Sequence, residues 1–353
     1  MDELESLEIQ IAEKIKDYRK GELSFELDDK HVDRWINQFD EVARKPILQE
    51  TLHLITNYYM AESDINEYIS QILNLKDIFT DDPRSEMSLI QFLNVQNKGS
   101  SQQRLLTLLN QKSLELYARD INLNNSANIK QYIYVDDGLY SGSTIRHDIE
   151  RWIAYANPNT DLHIVFLCMY TFGYWYSKKK IQEICATRNI NVHFWRRYEF
   201  NNFTQNRYGE LYYDCFWPQE VDDDNCKTYI ELMNNEAQGK GYSNIRTYRN
   251  ILCNSHIFSN DFNRTILERE FMRAGSYIMT VPSKSNISMR PMGYDNLTSI
   301  GFGAFFVTFM NISNNCPLAL WWGDSEANIW HPFSKWYPLF PRRGNITGDD
   351  LIW

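Results

Sequence analysis

Near the start of the chain, apolar residues recur every three or four positions in LESLEIQIAEKI, the spacing that lays one stripe along a helix. A second helix is predicted after Asp28 and Asp29, with Val32, Trp35, Ile36 and Phe39 on its buried side. Pro46 suits the first turn of a third, and Asp64 with Glu67 makes a capping pair for a fourth. Residues 1–78 read as a helical lobe. From residue 87 the period changes: MSLIQFLNV is a strand, QNKGSSQ a tight polar loop and QRLLTLLNQKSLELYARD a helix. The strand QYIYV, the loop DDGLYSGST and the helix IRHDIERWIAYA come next, then the strand LHIVFLCMY, the helix SKKKIQEICATR and the strand NVHFWRRY. Alternation of this kind implies an α/β core over residues 79–200, with a mostly parallel sheet and right-handed crossovers. Residues 201–353 are expected to form a mixed, aromatic-rich extension packed on that core. Within them SNDFNRTILEREFMRAG reads as a helix with Ser259 as cap and Gly275 as stop.

Composition narrows the class. In a chain of 353 residues, 14% aromatic and 43% hydrophobic content supplies one large core or two modest ones. A net charge of -10 repels a phosphate backbone, so direct nucleic-acid binding is disfavoured. The strongest apolar run, FGAFFVTFM, is well short of the roughly 20 residues of a membrane helix, and MDELESLEIQ has no signal-peptide pattern. A cytoplasmic protein is expected. The six cysteines show no CxxC and no repeated spacing, which suits a reducing compartment.

The chemistry is concentrated in YIYVDDGLYSGST. In an open parallel sheet, ligands sit beyond the carboxyl ends of the strands. Here a loop rich in small and hydroxyl residues leads from a strand into a helix start. Gly142 lets the backbone turn closely around a bound group, while Ser141, Ser143 and Thr144 offer hydroxyls and N–H groups, a cradle for an anion. Asp136 and Asp137 would repel that anion. They need a different partner: vicinal sugar hydroxyls, or a divalent ion such as Mg²⁺ between sugar and pyrophosphate. A phosphorylated sugar satisfies both halves of the motif. The plainer alternative is a serine capping a helix, with two acids closing a turn. One unit earlier, QNKGSSQ occupies the same position after a strand. Lys98 and the N–H groups of Gly99, Ser100 and Ser101 could hold a second phosphate group there, or the segment is a solvated turn. No GxxxxGK[ST] and no GxGxxG is present.

At these residues the chain resembles the type I phosphoribosyltransferases, whose signature is an apolar strand, two acids, a short stretch and a Thr/Ser–Gly–x–Thr/Ser turn. The resemblance implies that Asp136 and Asp137 contact the ribose hydroxyls of phosphoribosyl pyrophosphate, that Ser141, Gly142, Ser143 and Thr144 hold its 5'-phosphate, and that Lys98 with Gly99 corresponds to the pyrophosphate loop. Gly138 and Tyr140 depart from the usual pattern, and no base-reading hood is identified. A closer resemblance is to the PRTase-CE type of bacterial conflict and antiphage systems. It runs through HVDRWINQFD, FLNVQNKGSSQ, the central motif, YYDCFWPQE, HIFSNDFNRTILEREFMRAG, RPMGYDNLTSIGFGAFFVTFMN and NNCPLALWWGD. It implies a defence effector that takes phosphoribosyl pyrophosphate or a nucleotide, with a protein partner and Mg²⁺, and leaves the acceptor and the oligomeric state open. An inactive nucleotide or phosphosugar sensor is the alternative.

Other candidates are weaker. His163 and His193 read as core residues, His147 and His256 as an acid or base only at a stretch. Arg264 and Glu268 share a helix face and read as a surface or interdomain salt bridge or, alternatively, as substrate-contacting groups, with Arg273, Arg290, Arg342 and Arg343 as further candidates for a basic pocket. The acidic run EVDDDN reads as a solvated face rather than a metal loop, and the C-terminal aromatics as a core plug or partner interface, with nucleobase stacking the alternative.

Overall fold

The computed structural model describes residues 2–79, 82–96, 101–203, 212–250, 253–280, 289–293, 299–324 and 326–342. The chain divides into two compact units, Ser63–Phe203 and a second made of Met1–Glu62 with Thr204–Trp353. The fold is α/β with a parallel sheet core, an N-terminal helical region and a C-terminal region rich in aromatic clusters. These units cut the chain differently from the three segments expected, because the apolar residues of the fourth helix pack within the sheet unit.

The second unit opens with α1 (Glu3–Ile15), α2 (Asp29–Ile36) and α3 (Glu41–Tyr58). Asp2 begins α1 with a capping box to Glu5, and Asp28 caps α2 by accepting from the His31 N–H at 2.9 Å. Val32, Trp35, Ile36 and Phe39 are all buried, as the spacing predicts. Pro46 lies inside α3, one turn later than expected. The short strand β1 (Tyr59–Met60) follows α3.

The sheet unit contains α4 (Glu62–Leu73), the single turn α5 (Pro83–Glu86), β2 (Ile90–Phe92), α6 (Ser101–Tyr117), β3 (Gln131–Leu139), α7 (Ser143–Trp152), β4 (Asp161–Tyr170), α8 (Thr171–Ala186) and β5 (Asn191–Phe200). The four strands are parallel in the order β2-β3-β4-β5, with Val135 beside Val165 and Tyr170 beside Phe200. Period-two alternation gives the sheet two apolar faces. Tyr132, Tyr134, Leu162, Ile164 and Phe166 form one core with Ile145, Ile149 and Trp152 of α7 and with Ile181 and Cys185 of α8. Val135, Val165 and Leu167 face Tyr68, Ile69 and Ile72 of α4 and Leu105 and Leu109 of α6. β3 is longer than QYIYV and carries both acids and Gly138 before it ends, so the following loop is only three residues long.

The remainder of the second unit holds α9 (Asp224–Gly239), α10 (Asp261–Thr280), β6 (Val307–Thr308), β7 (Asn311–Ile312) and the one-turn α11 (Leu318–Trp321). β6 pairs with β1 in parallel and with β7 antiparallel. The α10 cap is Asn260, which accepts from the Asn263 N–H at 2.9 Å; Ser259 instead bonds Glu50. Gly275 does not stop α10. A Cβ there would lie 2.6 Å from the Pro291 Cα, so glycine serves close packing. Trp321, Trp322, Trp336 and Phe340 are core residues, and the Trp35 indole donates to the Ala319 carbonyl at 3.0 Å; Trp330 stands 84% exposed.

Candidate functional site

The C-terminal ends of β2 and β3 bring together the leading and trailing ends of the QNKGSSQ loop and the acid pair. Lys98, Gly99 and Ser100 lie outside the described residues, whereas Gln96, Ser101 and Gln102 are placed. The Gln102 side chain is buried and joins three points: its Oε1 accepts from the N–H groups of Val95 at 2.9 Å and Gln96 at 3.1 Å, and its Nε2 donates to the Val135 carbonyl at 3.1 Å. Sequence reading gave this residue no role.

Asp136 is 8% exposed. Its Oδ1 accepts from the Ser101 hydroxyl at 2.8 Å and from the Asp137 N–H at 2.9 Å, while its Oδ2 accepts from the Gln96 amide at 2.5 Å. A carboxylate has about four acceptor positions, so three are spent within the chain. Burial, with the charge of Asp137 added to it, pushes the Asp136 carboxyl up to about 8 despite these donors. Asp137 is half-buried.

Beneath Asp136 on the same face of β3 is Tyr134, two residues earlier. Its hydroxyl accepts from the Gln96 amide at 3.0 Å and donates to Asp148 Oδ2 at 3.0 Å, and Asp148 in turn meets Arg151 at 2.5 Å. Burial raises both the Tyr134 phenol and the Asp148 carboxyl above their ordinary values. Gln96, Tyr134 and Asp148 thereby connect the leading end of the loop to α7. The period of two marks Tyr134 and Asp136 as sharing a face, but nothing in sequence ties either to Gln96.

The turn of the second half is built on glycine. Gly142 stands at φ 74, the left-handed region, immediately before α7, and a Cβ on it would lie 2.5 Å from the Ser177 Cβ. Gly173 of α8 is equally constrained, since a Cβ there would come within 1.8 Å of the Tyr140 carbonyl oxygen. The first turns of α8 thus hold the 140–142 backbone by close contact. Ser141, Ser143 and Thr144 are exposed, and no side chain caps α7; the Ser141 hydroxyl accepts from the Ser143 N–H at 3.3 Å. A helix start with this surface attracts an anion. Tyr140 folds over Gly138 and meets Tyr170 edge-on at 5.2 Å.

Other sequence candidates lie elsewhere or serve packing. Arg264 and Glu268 are neither a surface nor an interdomain bridge; both are buried in α10 and bonded at 2.9 Å within their own unit. Glu268 also takes the Trp217 N–H at 3.0 Å and Arg249 at 3.3 Å. Arg273 pairs with Asp40, Asp223 and Glu270, and Arg343 is outside the described residues. His163 is buried, and burial lowers its imidazole to about 4. His193 departs from the core expectation: it lies on the edge strand β5, 42% exposed, bonded to Asp161 at 3.0 Å. His147 is exposed beside Arg146, and His256 lies 3.4 Å from Asp214 in the other unit.

Among the described residues there is no group of three or more His, Cys, Asp or Glu able to hold a metal, and no helix long and apolar enough to cross a membrane. Two neighbouring acids suit Mg²⁺ only where substrate oxygens and water complete its shell, which is its usual manner of binding. A family model described as PRTase-CE matches residues 32–342. No curated protein matches the chain.

Proposed function

The chain belongs to the PRTase-CE family, and from that premise we propose that it binds phosphoribosyl pyrophosphate or a nucleotide at the ends of β2 and β3 and transfers ribose phosphate or cleaves a glycosidic bond. One observation carries this reading. The Ser101 hydroxyl, just after the first loop, donates to Asp136, which leads into the second, at 2.8 Å, so one ligand can meet both strand ends. In this reading the 5'-phosphate lies on the turn of Ser141, Gly142, Ser143 and Thr144, with the helix N-terminus supplying N–H donors. Asp137 accepts from ribose hydroxyls, and Lys98, Gly99, Ser100 and Ser101 take the second phosphate group. Lys98 neutralises charge that builds on the departing pyrophosphate, and fixed orientation of the sugar lowers the barrier at the anomeric carbon. Mg²⁺, held by Asp137 and substrate oxygens, would add further neutralisation of the leaving group. The proposal extends to a cytoplasmic effector role beside a protein partner in a defence system, as the family resemblance implies.

Calorimetry with phosphoribosyl pyrophosphate and Mg²⁺ tests it. Binding by the full chain, weakened at least tenfold by Asp137→Asn, is expected; no binding by the wild type ends the proposal. A second reading, a phosphosugar or nucleotide sensor without turnover, is favoured by the engagement of Asp136 within the chain, where three donors already meet its carboxyl oxygens. Release of inorganic pyrophosphate on incubation separates the two, since a sensor binds without releasing it.

A further inference from the structure

The outward side of α8 departs from the ordinary pattern of a helix laid on a sheet. Its inner side, Thr171, Gly173, Ser177, Ile181 and Cys185, is buried. Phe172, Trp175, Tyr176 and Lys179 follow one another at i, i+3, i+4 and i+7, the spacing of a single stripe, and this stripe faces solvent. Its three rings stand 56%, 60% and 49% exposed. Single exposed apolar residues need no explanation, whereas a row of aromatic rings on one face marks a surface that binds. The rings are also held in place. The Phe172 N–H donates to Asn202 Oδ1 at 2.9 Å and its ring meets Phe203 edge-on at 5.7 Å, while the Trp175 ring lies 5.5 Å from that of Tyr174.

Charge and position narrow what binds there. Lys178, Lys179 and Lys180 follow the aromatics directly. The Lys178 ammonium lies 5.2 Å from the centre of the Tyr174 ring and 5.7 Å from that of Trp175. Lys179 and Lys180 share Glu183, at 4.0 Å and 3.7 Å, which leaves the face locally basic in a chain of net charge -10. The stripe begins beside the anion turn, for a Cβ on Gly173 would strike the Tyr140 carbonyl and one on Gly142 would strike Ser177. From Phe172 to Lys179 it runs about 10 Å along the helix, room for more than one stacked base. A strand of nucleic acid uses every part of this surface, bases on rings and phosphates on ammonium groups. A duplex hides the faces of its bases and uses only the lysines.

We propose that α8 is a stacking platform for a single strand of nucleic acid, with bases on Phe172, Trp175 and Tyr176 and backbone phosphates on Lys179 and Lys180, the strand leading toward the 141–144 turn. The net charge that disfavours nucleic acid over the whole surface does not govern this face. That the strand is the acceptor of ribose phosphate, or the substrate of glycosidic cleavage, rests on the phosphosugar reading; that it binds here does not.

Fluorescence anisotropy of the full chain with labelled oligo(dT) and oligo(rU) of about eight nucleotides, at about 50 and 200 mM salt, tests the platform. Wild type is expected to bind at least one of them, and Trp175→Ala and Tyr176→Ala each to weaken that binding at least fivefold. Replacing Lys179 and Lys180 together by Gln should weaken it and flatten its fall with rising salt. A duplex of the same length should bind at least tenfold more weakly. No binding of either single strand, undiminished affinity in both aromatic variants, or equal affinity for the duplex overturns the proposal. So does a chain that sediments as a dimer and becomes a monomer in Trp175→Ala, since the stripe would then be a contact between copies. Calorimetry with phosphoribosyl pyrophosphate and Mg²⁺ keeps the two proposals apart. Trp175→Ala should bind it as wild type does, and a wild type that binds oligonucleotide but not phosphoribosyl pyrophosphate overturns the phosphosugar reading alone.

Discussion

Glu268 and Asp136 are both carboxylates withdrawn from water, one in each unit, and they are held there by different means. Glu268 meets two guanidinium groups, Arg264 and Arg249, which are themselves buried and occupied with the carbonyls of Cys253 and Trp217. Its charge is compensated on the spot, and the assembly fastens α10 to Trp217, Arg249 and Cys253. Among the described residues, the donors to Asp136 are neutral and its nearest charged neighbour is another acid. A buried charge that is fully paired is part of the scaffold. An acidic group with another acid beside it, next to exposed hydroxyls at a strand end, lacks that compensation, which is the contrast the proposed site turns on.

The largest effect expected from this contrast is at Glu268. Replacement by Ala strands two buried guanidinium groups and should cost about 3–5 kcal/mol, read from denaturant unfolding by tryptophan fluorescence. A cost under about 1 kcal/mol would erase the distinction between the two acids. Next comes pH. The folded Asp136 carboxyl lies at about 8, above its ordinary 3.8, so the folded state keeps a proton that the unfolded chain has lost. Its contribution is therefore fully present at low pH and fades as pH rises through 8. Wild-type stability relative to Asp136→Asn should fall by nearly 1.4 kcal/mol per pH unit at the steepest, between about pH 5 and 7. A flat difference would mean that Asp136 is charged throughout.

Gly142→Ala should cost about 2 kcal/mol, from a left-handed backbone and a Cβ forced against Ser177, with loss of phosphosugar affinity on calorimetry. Tyr134→Phe removes the donor to Asp148 and the acceptor of Gln96, for about 1–2 kcal/mol in thermal unfolding. The smallest stability change is expected at exposed Ser141. Its replacement by Ala should stay within about 0.5 kcal/mol and yet weaken ribose 5-phosphate severalfold, the signature of a receiving surface rather than a scaffold.

The four strands of the parallel sheet, their alternation with helices and the motif at a strand end were legible, because periodicity and turn residues are local, whereas the short β1, β6 and β7 were not. So were Val32, Trp35, Ile36 and Phe39 as a buried stripe. Gly275 misled for the opposite reason: a glycine within a helical pattern signals a stop locally, and only the approach of Pro291 made it a packing position. Arg264 and Glu268 at i,i+4 read as a surface bridge, since spacing along a helix reveals who is adjacent but not what lies across from them. Gln96 and Gln102 bound the QNKGSSQ segment, but its sequence gave neither a role.

The sequence by itself determined that a β-loop-helix unit would present two acids and a hydroxyl-rich turn at the end of a parallel strand. That follows from alternation, chain reach and the backbone freedom of glycine, all properties of neighbours in the chain. Which of the two acids turns inward was decided only when β2, β3 and α6 came together. The partners of Asp136 are contributed from 35 and 40 residues away, and hydrogen bonding and burial depend on that distant company.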